Sequence, residues 1–407
     1  MQAGLRIGTL FGIPLFLDSS WFLILVLFTF INYQSYQTIG FDQSTAFVGG
    51  LIIALSLFGS VFLHELGHSL TALSQGIKVN SITLYFFGGI ASIERESTTP
   101  GGAFQIAIAG PLVNVALFFI LSFAGQVLTT GTLIERILDD LAGINLVLAI
   151  FNLIPGLPLD GGQVLKALIW KITGNQFTAI RWAAQAGQML GWFAIALGIS
   201  LFLGVITGGR STPGGLWLAL IGWFIVSNAT VYTRVANLQE VLTQLKAVDV
   251  MTREFRVIDA NLSLRQFADQ YLLEESHFPF YFAASEGRYR GLVSLDNLRL
   301  VERSQWESLT LQRIAQPFSE IVTVPEKASL IRVINALETH QLKSLTVLSP
   351  ADAVAGVIDR GDIVRAVCEK LKTRISSGDI KRIKDEGTYP PGFPLNVIAK
   401  TMANEAD

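Results

Sequence analysis

Two histidines with a glutamate between them form an HExxH motif at His64, Glu65 and His68. On a helix, a four-residue spacing places both imidazoles on one face, about 6 Å apart along the axis. Two imidazole nitrogens can then bind one zinc ion at about 2.0–2.1 Å, and the glutamate lies beside a water molecule bound to that ion. The motif therefore predicts a zinc site with a built-in base.

The motif directly follows residues 47–63, an apolar run without any charged residue. Ionisable side chains at membrane depth are costly and usually functional. An isolated HExxH in a soluble helix, by contrast, is often a chance match. The apolar context therefore favours a metal site.

A catalytic zinc usually has a third protein ligand and one open position. The remaining histidines, His277 and His340, lie in the charged second part of the chain. The single cysteine, Cys368, excludes both a disulfide framework within the chain and a cysteine-rich zinc site. A carboxylate from the first part is therefore expected, and the candidates are Asp18, Glu135, Asp139, Asp140 and Asp160.

Charge is distributed unevenly along the 407 residues, of which 51% are hydrophobic. Residues 1–234 contain 9 Lys and Arg and 9 Asp and Glu, whereas residues 235–407 contain 21 and 23. This asymmetry predicts a membrane-embedded first part and a soluble second part. The net charge of −2 gives no indication of nucleic-acid binding.

Six apolar segments approach or exceed the roughly 20 residues that cross a bilayer core. We therefore expect a polytopic α-helical membrane protein. The distribution of Lys and Arg among the loops favours a cytoplasmic N-terminus and a cytoplasmic soluble part. The segments are approximately 14–33, 48–75, 103–128, 141–170, 183–206 and 214–233.

The fourth segment is interrupted by Pro155, Pro158 and the pair Gly161-Gly162. Broken helices at membrane depth are tolerated only where they are buried in protein or line a cavity. Asp160 lies in this break, and in the predicted topology it has the same depth as His64. Depth thus agrees with a shared metal site, although an Asp before two glycines could also be a plain helix N-cap.

HELGH at residues 64–68 and NLIPGLPLDGG at residues 152–162 together resemble the site-2 protease family of intramembrane zinc metalloproteases. The second motif matches the family pattern Asn-x-x-Pro-x-x-Pro-x-Asp-Gly. GPLVN at residues 110–114 resembles the family's third-segment motif. The resemblance covers about residues 1–234. It implies regulated intramembrane proteolysis, in which transmembrane segments of single-pass membrane proteins are cleaved.

The same resemblance implies the role of each site residue. His64, His68 and Asp160 would bind one zinc ion per chain. Glu65 would act as general base on a zinc-bound water and then pass the proton to the leaving amine. Candidates for contacts with the substrate backbone or the oxyanion are Asn152 and Asn114, although Asn114 could instead bond between helices.

A helical substrate hides its carbonyl groups, so it must unwind near the zinc. Residues 77–96 look strand-like, with a bend at Gly88-Gly89. We expect residues 79–90 to hold the unwound substrate by β-augmentation.

Residues 247–370 contain an internal repeat with a period near 65, in which Ser263-Leu264 recurs as Ser329-Leu330. Each copy indicates the order strand, helix, strand, strand, helix. The repeat resembles a tandem pair of cystathionine-β-synthase (CBS) domains, an α/β module. The charged tail is assigned no fold. The predicted domains are 1–234 (transmembrane metalloprotease), 247–303 and 311–370 (CBS domains 1 and 2) and 371–407 (tail).

CBS pairs often bind adenine nucleotides, with the ribose-binding pattern Gly-h-h-Ser/Thr-x-x-Asp. Neither copy is intact, because the first has Ser294 followed by Asn297 and the second has Asp359 followed by Asp362. Asp359 could accept a hydroxyl proton, but it would repel phosphate. A nucleotide-binding module and a ligand-free docking or homodimerisation module therefore both stay open.

A membrane transporter or channel regulated by the CBS pair is the alternative function. Broken helices and intramembrane acids also suit a transport site. A transport site, however, needs no base between two histidines, so Glu65 favours a protease. A catalytically inactive scaffold is disfavoured because all three ligands and the base are present.

Overall fold

The computed structural model describes residues 4–85, 88–127, 131–272, 279–293, 295–390 and 392–406. The chain divides into two compact units, Met1–Ala236 and Asn237–Asp407.

The first unit is built mainly from helices. Four of them, α2, α3, α6 and α7, are long and apolar enough to cross a membrane, as judged over the described residues. They correspond to the second, third, fifth and sixth predicted segments. The helices are α1 (Ser19–Thr38), α2 (Gln43–Ser74), α3 (Pro100–Val127), α4 (Leu133–Asn152), α5 (Asp160–Thr173), α6 (Gln176–Phe202) and α7 (Gly214–Gln244), the last of which continues into the second unit.

A four-stranded sheet accompanies these helices in the order β1-β2-β3-β4. Strand β2 pairs parallel to β3, and the other pairs are antiparallel. The first predicted segment is therefore only partly helical: its start lies in β2, and helix α1 begins after the cap Asp18, whose carboxylate accepts from the Ser20 amide at 2.9 Å. The strands are β1 (Leu5–Leu10), β2 (Ile13–Leu17), β3 (Val79–Tyr85) and β4 (Gly88–Ile93).

Strand β4 is the edge of this sheet, and among the described strands it pairs with β3 alone. The predicted bend at Gly88-Gly89 is wrong in position. Gly88 pairs with Tyr85 and Gly89 pairs with Leu84, so both glycines belong to the second strand of a hairpin. Gly88 has a φ of 134°, a backbone conformation that residues with a Cβ rarely adopt, so glycine is required at the start of β4.

The predicted break of the fourth segment is confirmed, because residues 153–159 separate α4 from α5. Leu157 in this break is fully buried, and its amide donates to the Ala183 carbonyl of α6 at 3.1 Å. A neighbouring helix thus satisfies part of the non-helical backbone, as polar groups in an apolar setting require.

In the described part of the second unit, the strands form two sheets, in the orders β5-β6-β7-β8 and β11-β10-β9. The strands are β5 (Phe255–Asp259), β6 (Phe280–Ser285), β7 (Arg288–Val293), β8 (Ala315–Pro317), β9 (Thr323–Pro325), β10 (Ser344–Leu348) and β11 (Val354–Asp359). The helices are α8 (Ala247–Val250), α9 (Leu264–Phe267), α10 (Leu295–Leu300), α11 (Leu311–Ile314), α12 (Leu330–Thr339), α13 (Arg360–Lys370), α14 (Ser377–Glu386) and α15 (Leu395–Ala406).

Both copies of the repeat have the predicted order of elements. The first copy is β5, α9, β6, β7 and α10, and the second is β9, α12, β10, β11 and α13. The unit is therefore the expected α/β module.

The tail after the repeat is folded in the structure, although the sequence assigns it no fold. Helices α14 and α15 carry Ile383, Leu395, Ile398 and Ala399, which are buried in the same core as the second copy. Burial of these apolar side chains stabilises helices that their charged surface alone does not indicate.

Candidate metal centre

Helix α2 and the first residue of α5 bring three ligands together. The Nε2 atoms of His64 and His68 lie 3.2 Å apart. Asp160 places one carboxylate oxygen 3.1 Å from the His64 Nε2 and the other 3.4 Å from the His68 Nε2. Leu159, rather than Asp160, occupies the N-cap position of α5, so the carboxylate is directed at the histidines and not at the helix end.

These positions fit a zinc ion. Ligand atoms held about 2.0–2.1 Å from a tetrahedral zinc lie about 3.3 Å from one another, which matches the observed separations. Two imidazoles and one carboxylate also form a donor set that leaves a fourth position open. Among the described residues, one group of metal-ligating side chains has its ligand atoms within 4.8 Å of one another, and it consists of His64, His68 and Asp160.

Helix α3 holds both imidazoles from the other side. The His68 Nδ1 lies 2.6 Å from the Ile106 carbonyl, and the His64 Nδ1 lies 2.5 Å from the Asn114 Oδ1. Because a carbonyl oxygen only accepts, the proton of His68 is on Nδ1 and its Nε2 lone pair faces the metal position.

Gly110 leaves the space in which the ligand atoms meet. A Cβ at this position of α3 would collide with the His68 Nε2 and would lie 2.7 Å from the His64 Nε2. Glycine is therefore required where α3 passes the centre.

Glu65 lies against the edge strand β4. Its carboxylate lies near the Ala91 backbone. A Cβ at Gly89 would collide with the Glu65 Cγ and would lie 3.1 Å from its Cδ. The predicted base thus stands beside both the ligand group and the free edge of the sheet.

Asn114 and Asn152 differ in their availability to a substrate. Asn114 is fully buried, and both ends of its amide are engaged, by His64 and by Asn145. Asn152 is the half-buried last residue of α4, and its side chain makes no hydrogen bond with the described part of the chain. A substrate contact by Asn114 would require one of its bonds to break.

Asn145 is a site residue that the sequence analysis did not select. It is a fully buried asparagine in α4 and donates to the Ser60 hydroxyl at 3.0 Å. A polar side chain inside the apolar residues 141–151 was the available signal, since such side chains usually bond between helices.

The nucleotide-site candidates lie in the second unit. Ser294 is outside the described residues. Asn297 donates to the Ile314 carbonyl at 3.1 Å. Asp359 caps α13 by accepting from the Asp362 amide at 2.9 Å.

The tail supplies a cation to this acidic pair. The Lys384 Nζ lies 2.9 Å from an Asp359 oxygen and 2.7 Å from an Asp362 oxygen. Desolvation opposes the ammonium charge, but the two carboxylates prevail and raise the pKa of Lys384 above its ordinary value. Burial raises the pKa of Asp362. The pair is therefore engaged by the chain's own helix α14.

Known proteins resemble the chain over most of its length. The profile of Peptidase family M50 matches residues 52–141 and 125–194, and the CBS domain profile matches residues 314–369. The protein sll0528 of Synechocystis sp. is 40% identical over 371 residues, which are 90% of this chain and 96% of that protein. Zinc metalloprotease MJ0392 of Methanocaldococcus jannaschii is 26% identical over 367 residues, with coverages of 90% and 97%.

Two further proteins are similar to parts of the chain. Rip3 of Mycobacterium tuberculosis is 32% identical over 317 residues, which are 77% of this chain and 79% of that protein. The solved structure of a site-2 protease from Methanocaldococcus jannaschii is 29% identical and covers 56% of this chain and 95% of its own, with a TM-score of 0.39.

Gly110→Ala is expected to lower zinc affinity by about 10–100-fold, the range seen when the support of metal ligands is lost. The added methyl group would push the two Nε2 atoms out of position. Competition with a chromophoric chelator on purified protein measures the affinity. Gly59→Ala is the matched control on α2, because a Cβ there meets nothing within 4 Å. Equal zinc affinity of both variants would contradict the role of Gly110.

Lys384→Met is expected to destabilise the contact between α13 and α14 by about 1–3 kcal/mol, because it removes the ammonium that Asp359 and Asp362 share and leaves Asp362 with the longer ion pair to Arg365, at 3.6 Å. Methionine keeps most of the aliphatic part of the lysine side chain, so the destabilisation measures the effect of removing the positive charge. Hydrogen exchange of α13 and α14 in the full-length protein should accelerate. Lys381→Met, an exposed position of the same helix, is the control. Unchanged exchange in Lys384→Met would show that the ion pairs contribute nothing.

Proposed function

The chain belongs to peptidase family M50, the site-2 protease family, and is a zinc metalloprotease; we propose that it cleaves transmembrane segments of single-pass membrane proteins in regulated intramembrane proteolysis. The convergence of His64, His68 and Asp160 carries this proposal. The two histidines are buried on a helix that is apolar enough to span a bilayer, so the chemistry would take place at membrane depth.

The side chains divide the work of peptide hydrolysis. His64, His68 and Asp160 would hold one zinc ion, which supplies polarisation of the scissile carbonyl and acidification of the attacking water. Glu65 would accept a proton from the attacking water and later donate it to the leaving amine. The burial of the ligands limits access of bulk water, which strengthens each of these electrostatic interactions.

The edge of β4 is the surface on which an unwound substrate would pair. An edge strand presents unpaired N–H and C=O groups to an extended peptide. Glu65 contacts this strand at Gly89 and Ala91, so a substrate added to β4 would run past the base. The half-buried amide of Asn152 is then available for the substrate backbone, whereas Asn114 supports the metal ligand.

The proposed topology has six crossings, with the N-terminus and the CBS module in the cytoplasm. Helices α1 and α4 would add two crossings to the four long apolar helices, and they pack against α2 and α3. The CBS module would regulate access of substrate, through an adenine nucleotide or through homodimerisation. A nucleotide using Asp359 and Asp362 would have to displace Lys384.

Glu65→Gln is expected to lower cleavage by about 100-fold or more, the typical contribution of general acid–base catalysis, while zinc content stays at one per chain. New protein N-termini inside transmembrane segments can be counted by mass spectrometry of membranes from expressing cells. Glu135→Gln, in the first turn of α4, is the control and should match the wild type. Persistence of the same N-termini in Glu65→Gln would favour the transporter alternative over the protease.

A cysteine at Ile90 is expected to form disulfides with every second position of a trapped substrate, because side chains alternate along an added β-strand. The experiment uses a Glu65→Gln, Cys368→Ala background, so that the substrate is retained and no other thiol reacts. Ile7→Cys is the matched control: it lies on the opposite edge strand and is 52% exposed, against 53% for Ile90. Cross-links with a spacing of three or four residues would contradict β-augmentation.

A further inference from the structure

A chain of buried hydrogen bonds connects the backbone of α4 with the metal ligand His64. The Asn145 Nδ2 donates to the Leu141 carbonyl at 2.9 Å. The Asn145 Oδ1 accepts from the Asn114 Nδ2, also at 2.9 Å, and the Asn114 Oδ1 faces the His64 Nδ1. Both asparagines are fully buried, so neither amide exchanges these partners for water.

The Leu141 carbonyl determines which group donates and which accepts in each of these hydrogen bonds. A carbonyl oxygen only accepts, so the amide nitrogen of Asn145 must face it and the amide oxygen must face Asn114. The Asn145 oxygen can only accept, so the Asn114 nitrogen must donate to it, and the Asn114 oxygen then faces His64. An acceptor opposite the His64 Nδ1 requires the proton to be on Nδ1, and the Nε2 lone pair then faces Asp160 and His68.

We propose that Asn145 is a positioning residue that fixes the tautomer of His64 through Asn114. This inference rests on the proposed function, because it names a residue that orients one of the proposed zinc ligands. The hydrogen bonds of Asn145 go to Asn114, Ser60 and Leu141 and not to a ligand atom, so it acts through the orientation of the Asn114 amide.

A second bond anchors Asn145 to the helix that carries the ligands. Its Nδ2 also donates to the Ser60 hydroxyl at 3.0 Å, and Ser60 precedes His64 by four residues on α2. The hydrogen bonds therefore form a closed network in which α2 is bonded to α3, α3 to α4, and α4 again to α2. Reversal of either amide would place donors opposite donors in a buried site, which is far more costly there than in water.

His68 offers an internal comparison. Its Nδ1 bonds directly to the Ile106 carbonyl, without an intervening side chain. Loss of Asn145 should therefore release the tautomer of His64 and leave that of His68 unchanged. A general loosening of the helices would disturb both.

The experiment measures histidine tautomers by ¹⁵N NMR in metal-free, full-length protein, at a pH at which both imidazoles are neutral, because an imidazolium carries a proton on each nitrogen and has no tautomer. The chain has only four histidines, so the imidazole signals can be assigned with His64→Gln and His68→Gln. In the wild type both ligands should carry the proton on Nδ1. In Asn145→Leu, His64 should shift toward the Nε2–H form, His68 should not, and zinc affinity should fall by about 10–100-fold.

Asn32→Leu is the matched control, since Asn32 also bonds the carbonyl four residues before it, Phe28, on α1 and away from the centre. Ser60→Ala should have a smaller effect than Asn145→Leu, because the Leu141 carbonyl still orients the amide. An Nε2–H tautomer of His64 in the wild type, or equal responses of His64 and His68 in Asn145→Leu, would overturn the proposal. These readouts need no proteolysis, so they are independent of the Glu65→Gln result.

Discussion

Polar side chains inside an apolar helix bundle must find their partners within the protein, because lipid offers none. This constraint organises the first unit. His64 and His68 are placed on α2 by a four-residue spacing, and each has its outward nitrogen bonded by α3. Asp160 faces their inward nitrogens. The donor set that results is the one a zinc ion completes, so stability of the apo fold and preparation of the metal site depend on the same contacts.

Breaks in regular structure appear where this arrangement needs them. The interruption between α4 and α5 allows a carboxylate to enter at the depth of the histidines, and its backbone is buried against α6. The sheet ends at β4, beside Glu65, where a free edge can accept an extended peptide. Gly89 and Gly110 remove the two side chains that would fill the space around the base and the ligands. The fold thus combines a rigid ligand set with an open strand edge.

Local spacing and apolar periodicity were sufficient to predict the helices of the first unit, the HExxH geometry and the break that contains Asp160. The order of elements in both copies of the repeat was also predictable. Contacts between segments that are distant in the sequence could not be predicted. The sequence marks Asn145 as a polar residue in an apolar segment, but its partners appear only when α4 packs on α3, and the strand β2 is recognised only by its pairing with β3. The charge of the tail concealed α14 and α15, whose few apolar residues complete a core formed elsewhere in the sequence.

The most direct test of the central claim is zinc K-edge X-ray absorption spectroscopy of the purified wild-type protein. We expect one zinc per chain with nitrogen and oxygen ligands at about 2.0–2.1 Å and scattering from two imidazole rings. Substitution of Asp160 by alanine should remove one oxygen ligand and leave both rings. Absence of stoichiometric zinc, or a spectrum with a sulfur ligand at about 2.3 Å, would contradict a centre formed by His64, His68 and Asp160.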